Sequence, residues 1–500
     1  MITPGKILKP ASRRVLDALV KIRFAIIGVS VICLGILLGV LMNSPEMGEL
    51  FVSILVLFVI LIIIVNNPLH GVLIWLFFAS FLETWINIPM GAGIPDLEFS
   101  RFIAIFLAIF MLARAATGGF RFARSGLVEV CIVATFLGVA LAAPLSTDPQ
   151  DVLQSALTMY MIPLSLYFFA KNLVQDRDDL KKLFLIIAVF GFVLGAYTAY
   201  EHATGNVLFV PKNAELHYLV RENGIRETRG IMGNSGTMGR VLAVTIPVTF
   251  YLFLEHRKNN ARKIMLAGML IVEFYGIFLT MNRTSWYALL IALFVMQFFY
   301  PQFRKIFFTI ALIAIVVLWA TWDQVNESTV VQERVNEKTE DFNGRTPRWE
   351  AGFNMWKVKP IRGWGFGRYG EESGRFRIDG YSWNFEAIEN DYLHILVGSG
   401  LLGFLPYLLF LLVPLVNSLR LFYRMRASDW SGFAKVEMLA VYWAALLCLL
   451  ITSYTAVHSR PIAKMITFAL TGAVVGSHEF LLRRVGIDRQ LSSPGHPGLV

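Results

Sequence analysis

The segment from Glu389 to Gly403 reads ENDYLHILVGSGLLG, and it joins a cluster of ionisable and polar side chains directly to an apolar run. Glu389, Asp391 and His394 can each take up or release a proton, and Asn390 is a hydrogen-bonding amide. The apolar run continues as FLPYLLFLLVPL, which makes it long enough to cross a bilayer. Because desolvating such groups is costly unless they are paired or hydrated, this segment predicts a site where a polar substrate meets the end of a membrane helix.

Three arginines near the ends of other apolar runs indicate chemistry with an anion. Arg229 lies in ETRGIMGNSGTMGR, Arg283 in LTMNRTSWYALL, and Arg345 in GRTPRWEAGFNMWKVK. The planar guanidinium donates two parallel hydrogen bonds to a pair of oxyanions, which suits a diphosphate. A single arginine at such a place is otherwise a snorkelling anchor or a solvated loop charge. Arg283 is the exception, because its connection is so short that the charge must face headgroups or a cavity.

The elements that must position these residues are membrane helices. The 500-residue chain is 56% hydrophobic and 16% charged, with a mean hydropathy of +0.60, whereas soluble domains are about a quarter charged. This composition excludes a soluble enzyme and predicts an all-α polytopic membrane protein. Cys33, Cys131 and Cys448 lie far apart inside apolar runs, so they form neither a disulfide framework nor a metal-ligand pattern.

A scan for apolar stretches of about 20 residues predicts about 14 transmembrane helices. The predicted spans are centred near Ile32, Leu57, Phe77, Ile109, Phe136, Leu164, Val189, Val248, Val272, Ile291, Ile313, Leu409, Ala444 and Leu470. No signal-peptide cleavage site is evident, so the first span is expected to be a retained helix. Two connections are longer than the topology requires, and we expect the second to fold with short helices because it contains tryptophans and the amphipathic run RWEAGFNMWKVK.

The charges of the short loops predict the orientation of the chain. Lysine and arginine are concentrated in alternate loops such as HRKNNARK and RLFYRMR, whereas NSPEMGE and STDPQD are neutral to acidic. By the positive-inside rule both termini are cytoplasmic, and Glu389 lies at the outer face of the membrane. The net charge of +10 mostly reflects this cytoplasmic collar, so it does not indicate a nucleic-acid partner. The predicted segments are a basic N-terminus (1–23), N-terminal spans (24–201), an external loop (202–236), further spans (237–322), a large external loop (323–390), C-terminal spans (391–482) and a cytoplasmic tail (483–500).

Four of these segments resemble motifs of the O-antigen ligase and O-antigen polymerase superfamily. RGIMGNSGTMGRVLAVTIPV is similar to its upstream turn, and TMNRTSWYALLIAL looks like its serine–arginine–glycine–alanine segment. GRTPRWEAGFNMWKVKPIRGWGFGRY resembles its loop motif, and ENDYLHILVGSGLLGF resembles the start of its following helix. The four segments span residues 229–404 in the family's order, with the long loop in place.

The resemblance implies an inverting, metal-independent glycosyltransferase without a cofactor, acting at the periplasmic face of the bacterial inner membrane. Its donor would be an oligosaccharide on undecaprenyl diphosphate, and its acceptor either another lipid-linked glycan or lipid A-core. Inner-membrane lipids, chain-length regulators and export proteins are further candidate partners. By their places in the motifs, Glu389, Arg283 and Arg229 would be catalytic. The substrate-binding residues would be Arg345, Arg348, Asn390, Tyr392 and His394.

The sequence departs from the ligase pattern at Glu389, where the ligases have a histidine. A carboxylate there could orient an acceptor hydroxyl as the histidine would. It could equally form an ion pair with Arg345 or Arg348 and hold the loop in place. His394 lies about a turn and a half deeper and either lines a cavity or is an ordinary buried histidine. Because the ligase histidine is missing, a polymerase is narrowly favoured over a ligase.

Two other interpretations come from different features. The run QDRDDLKK contains Asp176 and Asp178 in a D-x-D pattern, which holds a metal in nucleotide-sugar enzymes. We favour a charged loop between spans, because no soluble domain surrounds it. A lipid-linked glycan flippase would also be polytopic, with basic cytoplasmic loops. It would in addition be expected to have charged residues in the middle of its spans and paired half-repeats with broken helices. The predicted spans are almost free of charge and show no such repeat, which favours chemistry on one face of the membrane.

Overall fold

The computed structural model describes residues 45–83, 86–88, 96–145, 153–154, 156–208, 228–256, 260–320, 345–380, 383–426, 435–457 and 460–476. The chain divides into two units, Met1–Ile62 and Ile63–Val500. The first unit is described only through the helical residues 45–62. The site and all the contacts below belong to the second unit.

The described residues are mostly α-helical, and we number the helices in chain order. They are α1 (Pro45–Asn66), α2 (Pro68–Leu82), α3 (Phe99–Ala116), α4 (Leu127–Ala142), α5 (Ile162–Leu173), α6 (Arg177–Thr204), α7 (Ser235–Glu255), α8 (Asn260–Leu279), α9 (Arg283–Phe299), α10 (Pro301–Ala320), α11 (345–358), α12 (Arg368–Glu372), α13 (Asp391–Arg426), α14 (Val436–Thr455) and α15 (Ile462–Gly476). A π-helical turn, Leu157–Met161, precedes α5. An antiparallel ribbon of β1 (Asn87–Ile88) and β2 (Leu97–Glu98) lies between α2 and α3, with Asn87 opposite Glu98.

The helices bear out an all-α membrane protein, although not the predicted number of spans. Each predicted span centre from Leu57 onward lies inside a helix, and Ile32 lies outside the described residues. Within the described residues, six helices are long and apolar enough to cross a membrane: α3, α4 with its following 3₁₀ turn, α6, α7, α13 and α14. The described part of α1 and helices α2, α9 and α15 are apolar but shorter. The count of about 14 spans is therefore not confirmed.

Helix α7 is the central element of the second unit. It is mostly apolar, and 94% of its membrane-length window is buried, as expected for a helix surrounded by others. Helices α6, α8, α9 and α14 pack around it. The position of its N-terminus is therefore fixed by four neighbours.

The acidic run before α6 acts as a helix start. The Asp176 side chain accepts the backbone N–H groups of Asp178 and Asp179 at 2.8 and 2.7 Å, which makes it an N-cap. Asp178 and Asp179 form ion pairs with Lys181 and Lys182, one turn further along, at 2.8 and 3.1 Å. These local contacts account for the D-x-D pattern as a capped and charged helix end.

The described part of the predicted large external loop is folded. It contains helices α11 and α12, which share an apolar core. The buried residues of this core are Ala351, Met355, Tyr369, Ile388 and Val397. Because Val397 belongs to α13, this core fastens the loop to the first turns of that helix.

Helix α13 is broken near its start, and the loop fills the break. Gly400 adopts φ 62° and ψ −160°, a conformation outside the helical region. The backbone N–H of Trp364 donates to the Val397 carbonyl at 2.8 Å, so the loop satisfies a carbonyl that the break exposes. A Cβ atom on Gly400 would collide with the Ile361 carbonyl oxygen. The glycine therefore allows the loop backbone to lie directly against α13.

Candidate functional site

Parts of several elements enclose a cavity of about 530 Å³, which is within the usual range for small-molecule sites. The first turns of α7 and α9 line it, together with the loop before α13 and the first turns of α13. Its charged and titratable lining residues are Arg240, Arg345, Tyr369, Glu386, Glu389 and His394. The cavity thus combines cations, carboxylates and an imidazole.

Two helix N-termini meet at one wall of this cavity. Asn234 caps α7 and Asn282 caps α9, and each side chain accepts a first-turn backbone N–H at 2.9 Å. A Cβ on Gly236 would lie 3.1 Å from both Asn234 Oδ1 and Asn282 Nδ2, so the two caps are close neighbours. Helix N-termini carry a partial positive charge and unpaired N–H groups. This wall therefore favours an anion.

Arg240 adds a full charge to the same wall. Its side chain is buried in the second turn of α7 and lines the cavity. The guanidinium donates to the Gly236 carbonyl at 2.9 Å, to Thr237 Oγ1 at 3.0 Å and to the Val457 carbonyl at 3.4 Å. All three acceptors are neutral, and no ion pair of Arg240 occurs among the described residues. Its charge is thus available to a ligand in the cavity.

A carboxylate held by two arginines forms a second part of the lining. Arg345 Nε donates to Glu389 Oε2 at 3.0 Å, and Arg348 Nη1 donates to Glu389 Oε1. Glu389 has φ +48°, in the left-handed region that non-glycine residues rarely adopt. The Tyr369 hydroxyl donates to the Arg348 carbonyl at 2.8 Å, and burial raises the pKa of this phenol above its ordinary value. The two arginines are therefore anchored at the cavity through Glu389 and the loop backbone.

A buried ion pair and a tyrosine lie behind the histidine. Lys464 Nζ on α15 is 2.7 Å from Asp391 Oδ2 and 2.9 Å from Oδ1, and both side chains are fully buried. The Tyr160 hydroxyl, from the π-helical turn, is 3.4 Å from Asp391 Oδ1 and 2.9 Å from His394 Nδ1. The Phe366 ring packs 5.4 Å from the imidazole. His394 thus has a defined orientation at the cavity surface.

The cavity brings together part of the residue set predicted from the sequence. Arg345, Glu389 and His394 line it. Arg348 is joined to it through its ion pair with Glu389. Arg283 is the first residue of α9, between two residues that line the cavity.

The other three predicted residues make contacts within the protein. The backbone N–H of Arg229 donates to Glu201 Oε1 at 3.1 Å. The buried Asn390 side chain accepts the Leu393 backbone N–H at 3.0 Å, as a helix cap does. The Tyr392 hydroxyl donates to the carbonyl of Leu450 on α14 at 3.0 Å. None of the three lines the cavity described here, and their contact with a substrate stays a prediction.

Sequence reasoning did not single out Arg240, Tyr160 or Lys464. Arg240 and Lys464 each interrupt an apolar run, GTMGRVLAVTI and PIAKMITFAL, and an ionisable residue inside a membrane segment is by default a candidate functional residue. That signal was available for both. Tyr160 carries no such signal, because its contact with His394 joins positions 234 residues apart.

Comparison with known proteins agrees with the motifs. Residues 268–408 match a family model described as O-antigen ligase, and this segment includes Arg283, Arg345 and the start of α13. An uncharacterized protein of Haemophilus influenzae is 23% identical over 320 residues, covering 57% of this chain and 78% of that protein. The resemblance predicted from the four sequence segments is therefore confirmed over the matched region.

Proposed function

Since residues 268–408 match a family model described as O-antigen ligase, we propose that this membrane enzyme of polysaccharide biosynthesis transfers a glycan from undecaprenyl diphosphate to a sugar hydroxyl. The observation that carries the proposal is one cavity in which an anion-binding wall adjoins groups able to accept a proton. The reaction takes place at the periplasmic face of the inner membrane and inverts the anomeric centre. It needs no metal, since cations of the protein stabilise the leaving group.

The diphosphate occupies the wall formed by the starts of α7 and α9. Backbone N–H groups of the two first turns and the guanidinium of Arg240 donate to its oxygens. Arg345 lies on the cavity lining and approaches from the loop. In this proposal Arg283, between two lining residues, and Arg229 bind the diphosphate from beside the cavity. As the glycosidic bond breaks, negative charge grows on the leaving oxygen, and cations already in place lower that barrier.

Glu389 holds the arginine pair rather than the acceptor. Its two oxygens accept hydrogen bonds from Arg345 and Arg348, so a sugar hydroxyl would have to share or displace a guanidinium. This contact supports the ion-pair alternative for Glu389. Release of Arg345 from Glu389 would let that arginine turn to the diphosphate when the donor arrives. Asn390 and Tyr392 stabilise the start of α13, Asn390 by capping it and Tyr392 by its hydrogen bond to α14.

A polymerase is favoured over a ligase. The support is the glutamate at position 389, where the ligases have a histidine. In a polymerase the acceptor is the terminal sugar of a second lipid-linked glycan. In a ligase the acceptor is lipid A-core.

The surface glycan of a deletion strain tests both the proposed glycan transfer and the choice of a polymerase over a ligase. If the protein is a polymerase, lipid A-core should carry caps of a single repeat. If it is a ligase, full-length glycan should accumulate on the lipid carrier, which overturns the polymerase assignment. Complementation with the wild-type chain should restore the parental pattern in either case. Surface and lipid-linked glycans identical to those of the parent strain would contradict the proposed function altogether.

A further inference from the structure

We propose that His394 takes the proton from the attacking sugar hydroxyl, and that Tyr160, Asp391 and Lys464 position it for this step. The inference rests on the proposed glycosyl transfer and assigns its proton acceptor. It places that role five residues beyond the position of the ligase histidine.

The environment of His394 leaves one ring nitrogen for the substrate. The side chain lines the cavity and is partly exposed there, and the Phe366 ring packs on it. Its Nδ1 is 2.9 Å from the Tyr160 hydroxyl. Among the described residues, Nε2 makes no hydrogen bond. The imidazole is thus anchored through one nitrogen, and the other remains for an incoming hydroxyl.

The buried ion pair favours one tautomer of His394. In its pair with Lys464, Asp391 is a carboxylate, and a carboxylate only accepts hydrogen bonds. The Tyr160 hydroxyl lies 3.4 Å from Asp391 Oδ1, and the proposal assigns its single proton to that carboxylate. With this assignment Tyr160 accepts from His394 Nδ1–H, which leaves the lone pair of the neutral imidazole on Nε2. That tautomer is the one a base at the cavity surface needs.

The chemical step is balanced without a co-reactant. The hydroxyl proton of the acceptor sugar moves to His394 Nε2 while its oxygen attacks the anomeric carbon of the donor. A new carbon–oxygen bond forms, and the bond from that carbon to the diphosphate oxygen breaks. The diphosphate leaves with the electron pair, and the imidazolium later releases its proton to water. Asp391 stabilises the transient positive charge through Tyr160, while the wall of α7 and α9 holds the leaving group.

Charged and titratable groups of other elements face the same space and enter any pH profile. Arg240 of α7, Arg345 of α11, Tyr369 of α12 and the loop residues Glu386 and Glu389 line the cavity with His394. Asp391, Tyr160 and Lys464 contact or adjoin the imidazole from within the protein. A change in the pH–rate profile is therefore assigned to His394 only when substitution of these other groups does not produce the same change.

Spheroplasts of a deletion strain test the proposal, because the medium sets the pH at the periplasmic face. Variants are expressed in this strain, and transfer of endogenous lipid-linked glycan is followed by pulse-chase. His394→Gln should lower the rate by about 10²–10⁴ and remove the acidic limb of the pH–rate profile. Imidazole added to the medium should restore part of the activity of His394→Ala. The matched control His70→Gln, on α2, should retain the wild-type rate and profile.

Binding of undecaprenyl diphosphate to the purified variants, read as a thermal shift, separates chemistry from folding. His394→Gln should bind it like the wild type. Should this variant fail to fold, Tyr160→Phe decides, since it removes only one hydroxyl: its rate should fall by about 10- to 100-fold, with binding intact and the acidic limb displaced. Near-wild-type rates in both variants overturn the role of His394 and leave the proposed function standing. Absence of transfer and of diphosphate binding in the wild type overturns both.

Discussion

Arg240 is the residue that links the cavity most directly to an anionic substrate. Its hydrogen bonds to neutral oxygens fix the guanidinium without neutralising it. We expect Arg240→Lys to lower the rate of glycan transfer by about 10²–10³, because lysine keeps the charge but cannot offer the planar fork. The rate is measured by pulse-chase in the complemented deletion strain, with Arg424→Lys at the far end of α13 as the matched control. A lysine variant as active as wild type would remove Arg240 from the diphosphate site.

For Glu389 we expect only a small effect on the rate, since its carboxylate is already bound to two arginines. Glu389→Gln keeps the size and hydrogen bonding of the side chain but removes the charge that holds Arg345 and Arg348. We expect the rate to fall by no more than about tenfold, less than the 10²–10⁴ due to loss of a base. The same assay compares this variant with His394→Gln. A larger loss in Glu389→Gln than in His394→Gln would return the role of proton acceptor to the glutamate.

Some side-chain contacts of the site residues could be predicted from the sequence, and others could not. An ion pair of Glu389 with Arg345 or Arg348 was one of the two expected roles, because the three residues lie in one predicted loop region. The contacts between Lys464 and Asp391 and between Tyr160 and His394 join residues 73 and 234 positions apart. Such pairs depend on which helices pack together, and the periodicity of a single helix carries no information about its neighbours.

At the scale of elements, the break in α13 determines how the loop meets the membrane helices. We expect Gly400→Ala to destabilise the protein strongly, because alanine is strained at φ 62° and its methyl group would collide with the Ile361 carbonyl. The midpoint of thermal unfolding in detergent should fall, together with transfer activity. Gly268→Ala in α8 is the matched control, since a Cβ there meets no atom within 4 Å. Equal unfolding midpoints for the two variants would contradict this account of the break.

The helices themselves were largely predictable, whereas their interruption was not. Apolar runs located a helix at each described span centre, because a helix that crosses a bilayer needs a long stretch of apolar residues. Glycines in a membrane helix commonly let a neighbouring helix approach closely. Gly403 does so, since a Cβ on Gly138 of α4 would lie 2.6 Å from its Cα. Gly400 instead admits the loop backbone, a contact that depends on the folded loop and so has no local signal.

At the scale of the whole molecule, the described helices expose the apolar surface expected of a protein in a bilayer. Large apolar side chains such as Ile264, Ile271 and Leu312 are more than half exposed on the helices, which a soluble protein would not tolerate over so wide an area. Arg240, Asp391 and Lys464 lie at or beside one cavity, whereas α3, α5, α6 and α8 each bury one charged side chain away from it. The gathering of these three charged side chains at one cavity supports the proposed chemistry on one face of the membrane.

The orientation of that cavity is the last prediction, and the proposed mechanism depends on it. The lysine and arginine asymmetry of the loops puts the segment 345–390 outside and the start of α8 inside. In a background with Cys33, Cys131 and Cys448 replaced, Arg375→Cys is exposed on the loop and should react with an impermeant maleimide in intact spheroplasts. Asn260→Cys, at the exposed start of α8, should react only after the membrane is permeabilised. The reverse pattern would place the cavity in the cytoplasm, where a donor presented at the outer face could not reach Arg240 or His394, and the transfer mechanism would fail with it.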